Sequence, residues 1–284
     1  MENESTDRYL RVGDRRFHYL EWGKEGRADP LLLLHGIGDE AHVWDWFARR
    51  ASRHRRVIAL DQRGHGGSDW ATPPAYRGED YVADLDAVIR TLALPRIIIM
   101  GHSMGALHAT RYASLEPEKV TALIHADIEP CPPEWNKKYL TNLYERLPCD
   151  YASVEDYVKE MRRNSPYADA ETLFRIASFA LKAGGDGRLR VRYDREVLAH
   201  FDRYDLRDCL GEIRCPALIV RGAESRVMSV AAARQMSAAI PRGRFVEIPA
   251  AAHPVFTDNP EGFTRAVLTF LEEVCGATSN VMPP

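Results

Sequence analysis

Ile97-Ile98-Ile99-Met100-Gly101-His102-Ser103-Met104-Gly105 is the stretch on which the fold turns. Its first four residues form a continuous apolar run, the pattern of a strand covered on both faces. Met104 to Leu115 reads as a helix. The G-x-S-x-G between them therefore stands in a strand–turn–helix context, the setting of a nucleophile elbow. Its glycines let the backbone come close, and the tight turn strains the serine at its centre. The Ser103 hydroxyl is then presented at a helix N-terminus, whose dipole favours developing negative charge. Ser103 is the candidate nucleophile.

Upstream, Leu31-Leu32-Leu33-Leu34-His35-Gly36-Ile37-Gly38 runs an apolar strand into a glycine-rich loop. In an acyl-transfer site such a loop supplies one backbone N–H to the oxyanion, and the residue after the nucleophile supplies the other. The candidates are the amides of Ile37 and Met104. His35 is expected to hold the loop by hydrogen bonds rather than to move protons. After the strand Val57 to Leu60 comes Asp61-Gln62-Arg63-Gly64-His65-Gly66-Gly67-Ser68-Asp69, a fixed structural turn with no catalytic role assigned.

Further strand candidates are Phe17 to Trp22, Ala122 to Ala126, Ala217 to Arg221 and Arg244 to Ile248. Glu79 to Leu94 puts Tyr81, Leu85, Ile89 and Leu92 on one helical face, and Glu261 to Val274 reads as a last helix. Alternating strands and helices imply a doubly wound, mostly parallel sheet with right-handed crossovers. The alternation breaks between Ile128 and Arg214. There Glu129-Pro130-Cys131-Pro132-Pro133 opens a stretch of helical patches near Val154 to Arg163, Asp169 to Leu181 and Arg195 to Phe201, with no convincing strand. The expected organisation is an α/β core of residues 1–128 and 209–284, interrupted by a helical cap of residues 129–208. An insertion at the carboxyl ends of the strands would cover the place where α/β sheets bind ligands.

Composition narrows the function. The 284 residues are 45 per cent hydrophobic and 28 per cent charged, with a formal net charge of −3. That apolar content disfavours disorder, and the lack of basic excess disfavours a nucleic-acid partner. No apolar run approaches the length of a membrane span, and Met1 to Leu10 is polar, unlike a signal peptide. The five cysteines, Cys131, Cys149, Cys209, Cys215 and Cys275, are scattered without a CxxC pair. Neither a disulfide framework nor a zinc site is indicated, and the reducing cytoplasm is the expected compartment. The expected partner is a small-molecule substrate, with no nucleic acid and no membrane, and the chain is expected to be a monomer or homodimer.

Four motifs in order, HGIG at His35 to Gly38, DQRGHGGSD at Asp61 to Asp69, GHSMG at Gly101 to Gly105 and AAHPVFTDNP at Ala251 to Pro260, make the chain resemble the α/β-hydrolase superfamily over nearly its whole length. The resemblance implies a doubly wound, mostly parallel sheet with a helical lid inserted after the sixth strand. It implies that Ser103 is the nucleophile and His253 the general base. Independently, His253 lies between the strand Arg244 to Ile248 and the last helix, where it can face the carboxyl edge of the sheet. Ala251-Ala252 stand where the family often has glycine.

The triad acid has two candidates. Most members of the superfamily carry it in a pattern similar to G-x-x-D-x-x-x-P after the strand Ala217 to Arg221. Here the sequence is Gly222-Ala223-Glu224-Ser225-Arg226-Val227-Met228-Ser229, so Ser225 stands at the acid's place and Glu224 one position early. Asp127 ends the strand Ala122 to Ala126, 24 residues after Ser103. Some members carry their acid there. One branch, similar to 2-(acetamidomethylene)succinate hydrolases, which cleave an amide, combines D-x-x-P, here Asp127 to Pro130, with R-G-x-x-S-x-x-x-S, here Arg221 to Ser229. Asp127 is the preferred acid and Glu224 the alternative.

The chemistry implied is acyl transfer to water. His253 takes the Ser103 proton, the amides of Ile37 and Met104 hold the oxyanion, and water resolves the acyl-enzyme. It calls for no metal and no cofactor. The leading expectation is a carboxylesterase-like hydrolase of a small ester; the alternative is amide or C–C cleavage of a small carboxylate. Rivals of another class are a cofactor-free oxygenase or perhydrolase, and a non-catalytic ligand receptor. The insertion carries Arg146, Arg162, Arg163, Arg175, Arg188, Arg190, Arg192 and Arg195, any of which could clamp a carboxylate or simply be solvated. Trp44, Trp46, Trp70, Phe174, Phe179 and Tyr193 could line an acyl pocket or belong to the core.

Overall fold

The buried run at Ile97 to Met100 lies at the centre of an eight-stranded sheet in the computed structural model, which describes residues 4–26, 28–135, 138, 142, 146–200 and 205–276. In chain order the strands are β1 (Thr6–Val12), β2 (Arg15–Trp22), β3 (Leu31–Leu34), β4 (Val57–Leu60), β5 (Ile97–His102), β6 (Val120–Ala126), β10 (Ala217–Gly222) and β11 (Gly243–Ile248). Their spatial order is β1-β2-β4-β3-β5-β6-β10-β11. β1 and β2 run antiparallel, β2 meets β4 antiparallel, and all other pairs are parallel.

Alternation along the central strands builds two cores. Leu32, Leu34, Ile97 and Ile99 face Leu85, Val88 and Ile89 of α2 (Gly78–Thr91) and Leu107 and Tyr112 of α3 (Met104–Leu115). Leu31, Leu33, Ile98 and Met100 face Phe47 of α1 (Asp45–Ala51), and Phe263, Val267 and Phe270 of the last helix, Pro260–Gly276. Every residue of β3, β4 and β5 is buried. Burying a Leu or Ile side chain contributes about 1.5–3 kcal/mol, so helices on both faces are what allow β3, β4 and the first four residues of β5 to be wholly apolar.

Strand order reverses between β3 and β5, because the chain leaves β3 for β4 on one side and returns to β5 on the other. The carboxyl ends of strands beside such a switch point are where open α/β sheets bind ligands. His35 to Gly38 follow β3 and Ser103 follows β5, so both motifs open onto this crevice.

Between β6 and β10 come α4 (Val154–Asn164), α5 (Ala170–Ala180) and α6 (Glu196–His200), close to the three helical patches expected there; Phe201 lies outside the described residues. Ser153 caps α4 by accepting from Asp156 N–H, and Asp169 caps α5 by accepting from Thr172 N–H. The expectation of no strand here needs correcting. β7 (Asp150–Tyr151), β8 (Leu181–Ala183) and β9 (Leu189–Val191) form a small antiparallel sheet in the order β7-β9-β8. Runs of two or three residues are too short to carry a period of two. β1 was also not expected: TDRYLRV is mostly exposed and offers no apolar run. The remaining helices are α7 (Val230–Ala239), α8 (Val255–Asp258) and α9 (Pro260–Gly276).

Candidate active site

Ser103 sits between the last residue of β5 and the first of α3 with φ 51 and ψ −121. Such a conformation costs a residue with a side chain on the order of 1–3 kcal/mol and persists only where the surroundings over-determine it. Here Ser103 N–H donates to Ala126 O at 2.9 Å, and Ser103 O accepts from Ala106 N–H at 2.9 Å. The elbow also requires its glycines. A Cβ on Gly105 would lie 2.5 Å from Leu34 O, and one on Gly101 would overlap the Gly105 carbonyl.

Asp127 follows β6 at φ 53, a left-handed turn, and is fully buried. Its Oδ2 lies 2.8 Å from His253 Nδ1. The same oxygen accepts from Ser225 Oγ–H at 2.5 Å, and Oδ1 accepts from Gly222 N–H at 3.0 Å. The carboxylate thus has three donors. Glu224 is placed elsewhere: its carboxylate accepts from Ala251 N–H at 3.0 Å and braces the loop before His253. Of the two candidate acids, Asp127 is the one on the imidazole.

His253 is tied to the elbow from a second side. His102 Nε2–H donates to His253 O at 2.9 Å, and the two rings stand 4.6 Å apart. That donation leaves His102 Nδ1 as an acceptor, 3.9 Å from Asp39 Oδ2. Burial holds the Asp39 carboxyl up to about 6, with the nearby His253 opposing. Burial drives the His102 imidazole well below its ordinary value, with the charge of His253 adding to the effect.

The loop after β3 is fixed by neutral histidines. His35 Nδ1–H donates to Gly36 O at 2.7 Å while Nε2 accepts from Gln62 N–H at 3.0 Å, so His35 holds the loop. His65 Nδ1–H donates to Arg63 O at 2.9 Å while Nε2 accepts from Gly38 N–H at 3.2 Å. With Gly38 N–H engaged, Ile37 is held between two anchored residues, and it is packed against Met104 in one small apolar cluster. Met104 opens α3, where the first amides of a helix have no helical acceptor. The turn at Asp61 to Asp69 centres on the Asp61 carboxylate, which receives Ala41 N–H and Gly67 N–H at 2.7 Å each and contacts His18 Nδ1 at 2.7 Å.

The insertion touches the core around this crevice. Asp194 N–H donates to Gly64 O at 2.7 Å, and Tyr76 Oη–H donates to Asp194 at 2.5 Å. Tyr167 and Ala168 N–H both donate to Asp258 at 3.2 Å. From α5, Arg175 pairs with buried Asp45, and Phe179 stacks on His42 with centroids 3.5 Å apart. Tyr157 of α4 lies close enough to Asp39 and Glu40 for their charges to raise its phenol, although burial is the larger cause.

Most of the arginines of the insertion are occupied. Arg188 pairs with Asp150, Arg190 with Asp186 and Arg163 with Glu160. Arg162, Arg192 and Arg195 donate to the carbonyls of Ala168, Leu181 and Leu147. Arg146 is exposed. Of the aromatic candidates, Trp44 is fully buried in the core beside Phe256 and Phe263, whereas Trp70 and Phe174 are exposed. Arg50 covers the Trp46 ring at 3.7 Å, and Tyr193 is buried with Tyr151. Asp39, His102, Tyr157 and Ser225 lie about the candidate site and were not singled out as functional from the sequence. Only Ser225 had a signal, its place in the R-G-x-x-S motif.

Among the described residues no group of three or more His, Cys, Asp or Glu gathers as a metal site, and no helix is long and apolar enough to cross a membrane.

A family model described as alpha/beta hydrolase fold matches residues 29–260. The chain is 32% identical over 255 residues to 2-(acetamidomethylene)succinate hydrolase of Mesorhizobium japonicum, covering 88% of this chain and 90% of that one. It is 26% identical over 269 residues to pimeloyl-[acyl-carrier protein] methyl ester esterase of Aliivibrio fischeri, covering 89% and 98%. Among solved structures, that of E-2-(acetamidomethylene)succinate hydrolase superposes with a TM-score of 0.84 at 26% identity, covering 95% of this chain and all of that one.

Proposed function

The chain belongs to the α/β-hydrolase fold family and is a hydrolase of that type, and from that premise we propose that it cleaves a small carboxylic ester through a Ser103–His253–Asp127 triad. The observation that carries this is the 2.8 Å contact of Asp127 Oδ2 with His253 Nδ1, on an imidazole held beside the strained elbow by His102. Asp127 takes the Nδ1 proton side of the ring and so leaves Nε2 to accept the Ser103 proton. The alkoxide attacks the substrate carbonyl. The amides of Ile37 and Met104 receive the oxyanion, in a role that typically supplies a factor of about 10²–10³ per donor. His253 then protonates the leaving group, and water repeats the sequence on the acyl-enzyme.

A second bond class is favoured by one observation. The relative at 32% identity is named for hydrolysis of 2-(acetamidomethylene)succinate, and the D-x-x-P and R-G-x-x-S-x-x-x-S motifs of this chain resemble those of that amide-cleaving branch. Amide cleavage needs the same acyl-enzyme with a poorer leaving group, so it asks more of His253 as an acid. We read residues 129–208 as a cap, on the strength of the contacts from Asp194, Arg175, Tyr167 and Ala168 around the crevice. We propose the reducing cytoplasm as its setting, a compartment that suits five scattered cysteines with no CxxC pair.

The test is turnover of p-nitrophenyl acetate and of 2-(acetamidomethylene)succinate by the wild type and by Ser103→Ala. Hydrolysis of either that vanishes in Ser103→Ala supports the reading, and the ratio of the two assigns the bond. Hydrolysis that survives Ser103→Ala would overturn the nucleophile assignment, and inactivity of folded wild type on all ester and amide probes would overturn the reaction class.

A further inference from the structure

We propose that Ser225 is a positioning residue of this site, its hydroxyl proton fixing the one Asp127 oxygen that also receives His253 Nδ1–H. The inference rests on the triad reading above and deepens it.

Three observations converge. First, Ser225 Oγ is 2.5 Å from Asp127 Oδ2, and both residues are buried. Second, the direction of that hydrogen bond is set by the other partners of the hydroxyl. Val227 N–H and Met228 N–H both point at Ser225 Oγ, at 3.1 and 3.4 Å. A hydroxyl has one proton and two lone pairs. With the lone pairs taken by amides, the proton goes to the carboxylate, and donation into the oxygen polarises it as a donor.

Third, the loop is held in place by a buried cation. Arg221, at the end of β10, donates to Ala223 O at 3.0 Å, Ser225 O at 3.0 Å and Met228 O at 2.7 Å, and pairs with Glu247 at 2.6 Å. The guanidinium fork therefore fixes the backbone on both sides of Ser225. This accounts for the R-G-x-x-S spacing: arginine clamps the loop, Gly222 donates its amide to Asp127 Oδ1, and Ser225 delivers a proton to Oδ2.

The consequence is orientational. The peptide N–H of Gly222 anchors one carboxylate oxygen but leaves the plane free to swing about the side-chain torsion. Ser225 removes that freedom at the oxygen on which the imidazole depends. Its place in the loop is the third after Gly222, where this chain carries a hydroxyl and no charge. In this chain the charge sits on β6, and the neighbouring loop keeps a hydroxyl to hold it.

The experiment compares wild type, Ser225→Ala, Ser225→Thr and Asp127→Asn on p-nitrophenyl acetate. Thermal unfolding and the downfield proton resonance of the His253 Nδ1–H are recorded for each. Ser225→Ala is expected to lower kcat roughly ten- to a hundredfold, the worth of a hydrogen bond to a charged group, with KM little changed. The downfield resonance should move or broaden. Ser225→Thr keeps the donor and should recover both kcat and the resonance. If Ser225→Ala does not fold, Ser225→Cys carries the same comparison with a weaker donor at similar volume. Wild-type kcat and resonance in folded Ser225→Ala, with Asp127→Asn inactive, would overturn this proposal while leaving the triad standing. Full activity in Asp127→Asn would overturn the triad reading and the proposal with it.

Discussion

Lowering the pH from about 7 to about 5 should unfold this protein far more readily than it would a typical domain, and the cause is its buried neutral histidines. His65 and His108 are pushed down to about 3, and His125 to about 4, in each case chiefly by burial. Their partners explain why the neutral form is required. His65 faces a carbonyl at Nδ1 and an amide N–H at Nε2. His125 faces the Ile128 carbonyl at Nε2 and the Thr110 hydroxyl at Nδ1. His65 thus needs one donor and one acceptor, and a second proton on it would meet an N–H head-on.

An imidazole with a folded value below its unfolded 6.5 binds its proton more readily once unfolded. Its stabilising contribution is therefore complete above pH 6.5 and is lost as the pH falls from there toward 3 to 4. At about pH 5 all three are still neutral when folded and protonated when unfolded. The loss between pH 7 and 5 is then set by the unfolded value alone, about 2 kcal/mol for each ring. Three rings give about 5–6 kcal/mol, comparable with the whole stability of many domains. His35 and His102, also lowered by burial, add to the loss; Asp39, Glu40 and His18, shifted upward, return part of it. Urea unfolding followed by tryptophan fluorescence at the two pH values, at constant salt, measures the difference. Stabilities agreeing within about 1 kcal/mol, or histidine resonances of the folded chain titrating near the ordinary value, would refute the reasoning.

Other perturbations give separate outcomes. Asp127→Asn should reduce turnover by about 10⁴, the serine-protease precedent for a lost orienting carboxylate, whereas Glu224→Gln should keep most of it; steady-state kinetics with p-nitrophenyl acetate decides. Gly105→Ala drives a methyl group into Leu34 O. Because backbone is the obstacle, the variant should lose at least the ~1–3 kcal/mol typical of overpacking, read as a lower Tm by calorimetry. Arg175→Ala removes the α5 partner of buried Asp45. Limited proteolysis should then cut the insertion faster while kcat per folded molecule stays within about threefold, since no reacting group is touched.

The central strands were legible because they are buried on both faces and so carry unbroken apolar runs. β1 was not, since only its pairing with β2 makes TDRYLRV a strand. β7, β8 and β9 were hidden for a similar reason: tertiary pairing, not local pattern, defines them. In the site, Ser103 and His253 stand out because flanking strand and helix signals give their motifs a context. Asp127 stood out by its place at the end of β6. The role of Ser225 could not be read, because its hydrogen bond spans 98 residues and depends on which way a hydroxyl points. The sequence left each arginine of the insertion as a carboxylate clamp or a solvated side chain. The structure shows most of them bound to acids or carbonyls, a matter of geometry that residue counts do not contain.

The shared oxygen of Asp127 also bears on what a second acid in this place would do. β6 and β10 are neighbours, and the distance between the Ser225 hydroxyl and the Asp127 carboxylate is one hydrogen bond. An ancestor bearing an acid at both places would have had two carboxyl groups in contact, and such a pair holds on to one proton. Whichever group kept it would have acted as Ser225 does now, donating to the charged one beside the imidazole. Such a pair would keep one charge and one donor in contact, the combination that Asp127 and Ser225 supply now.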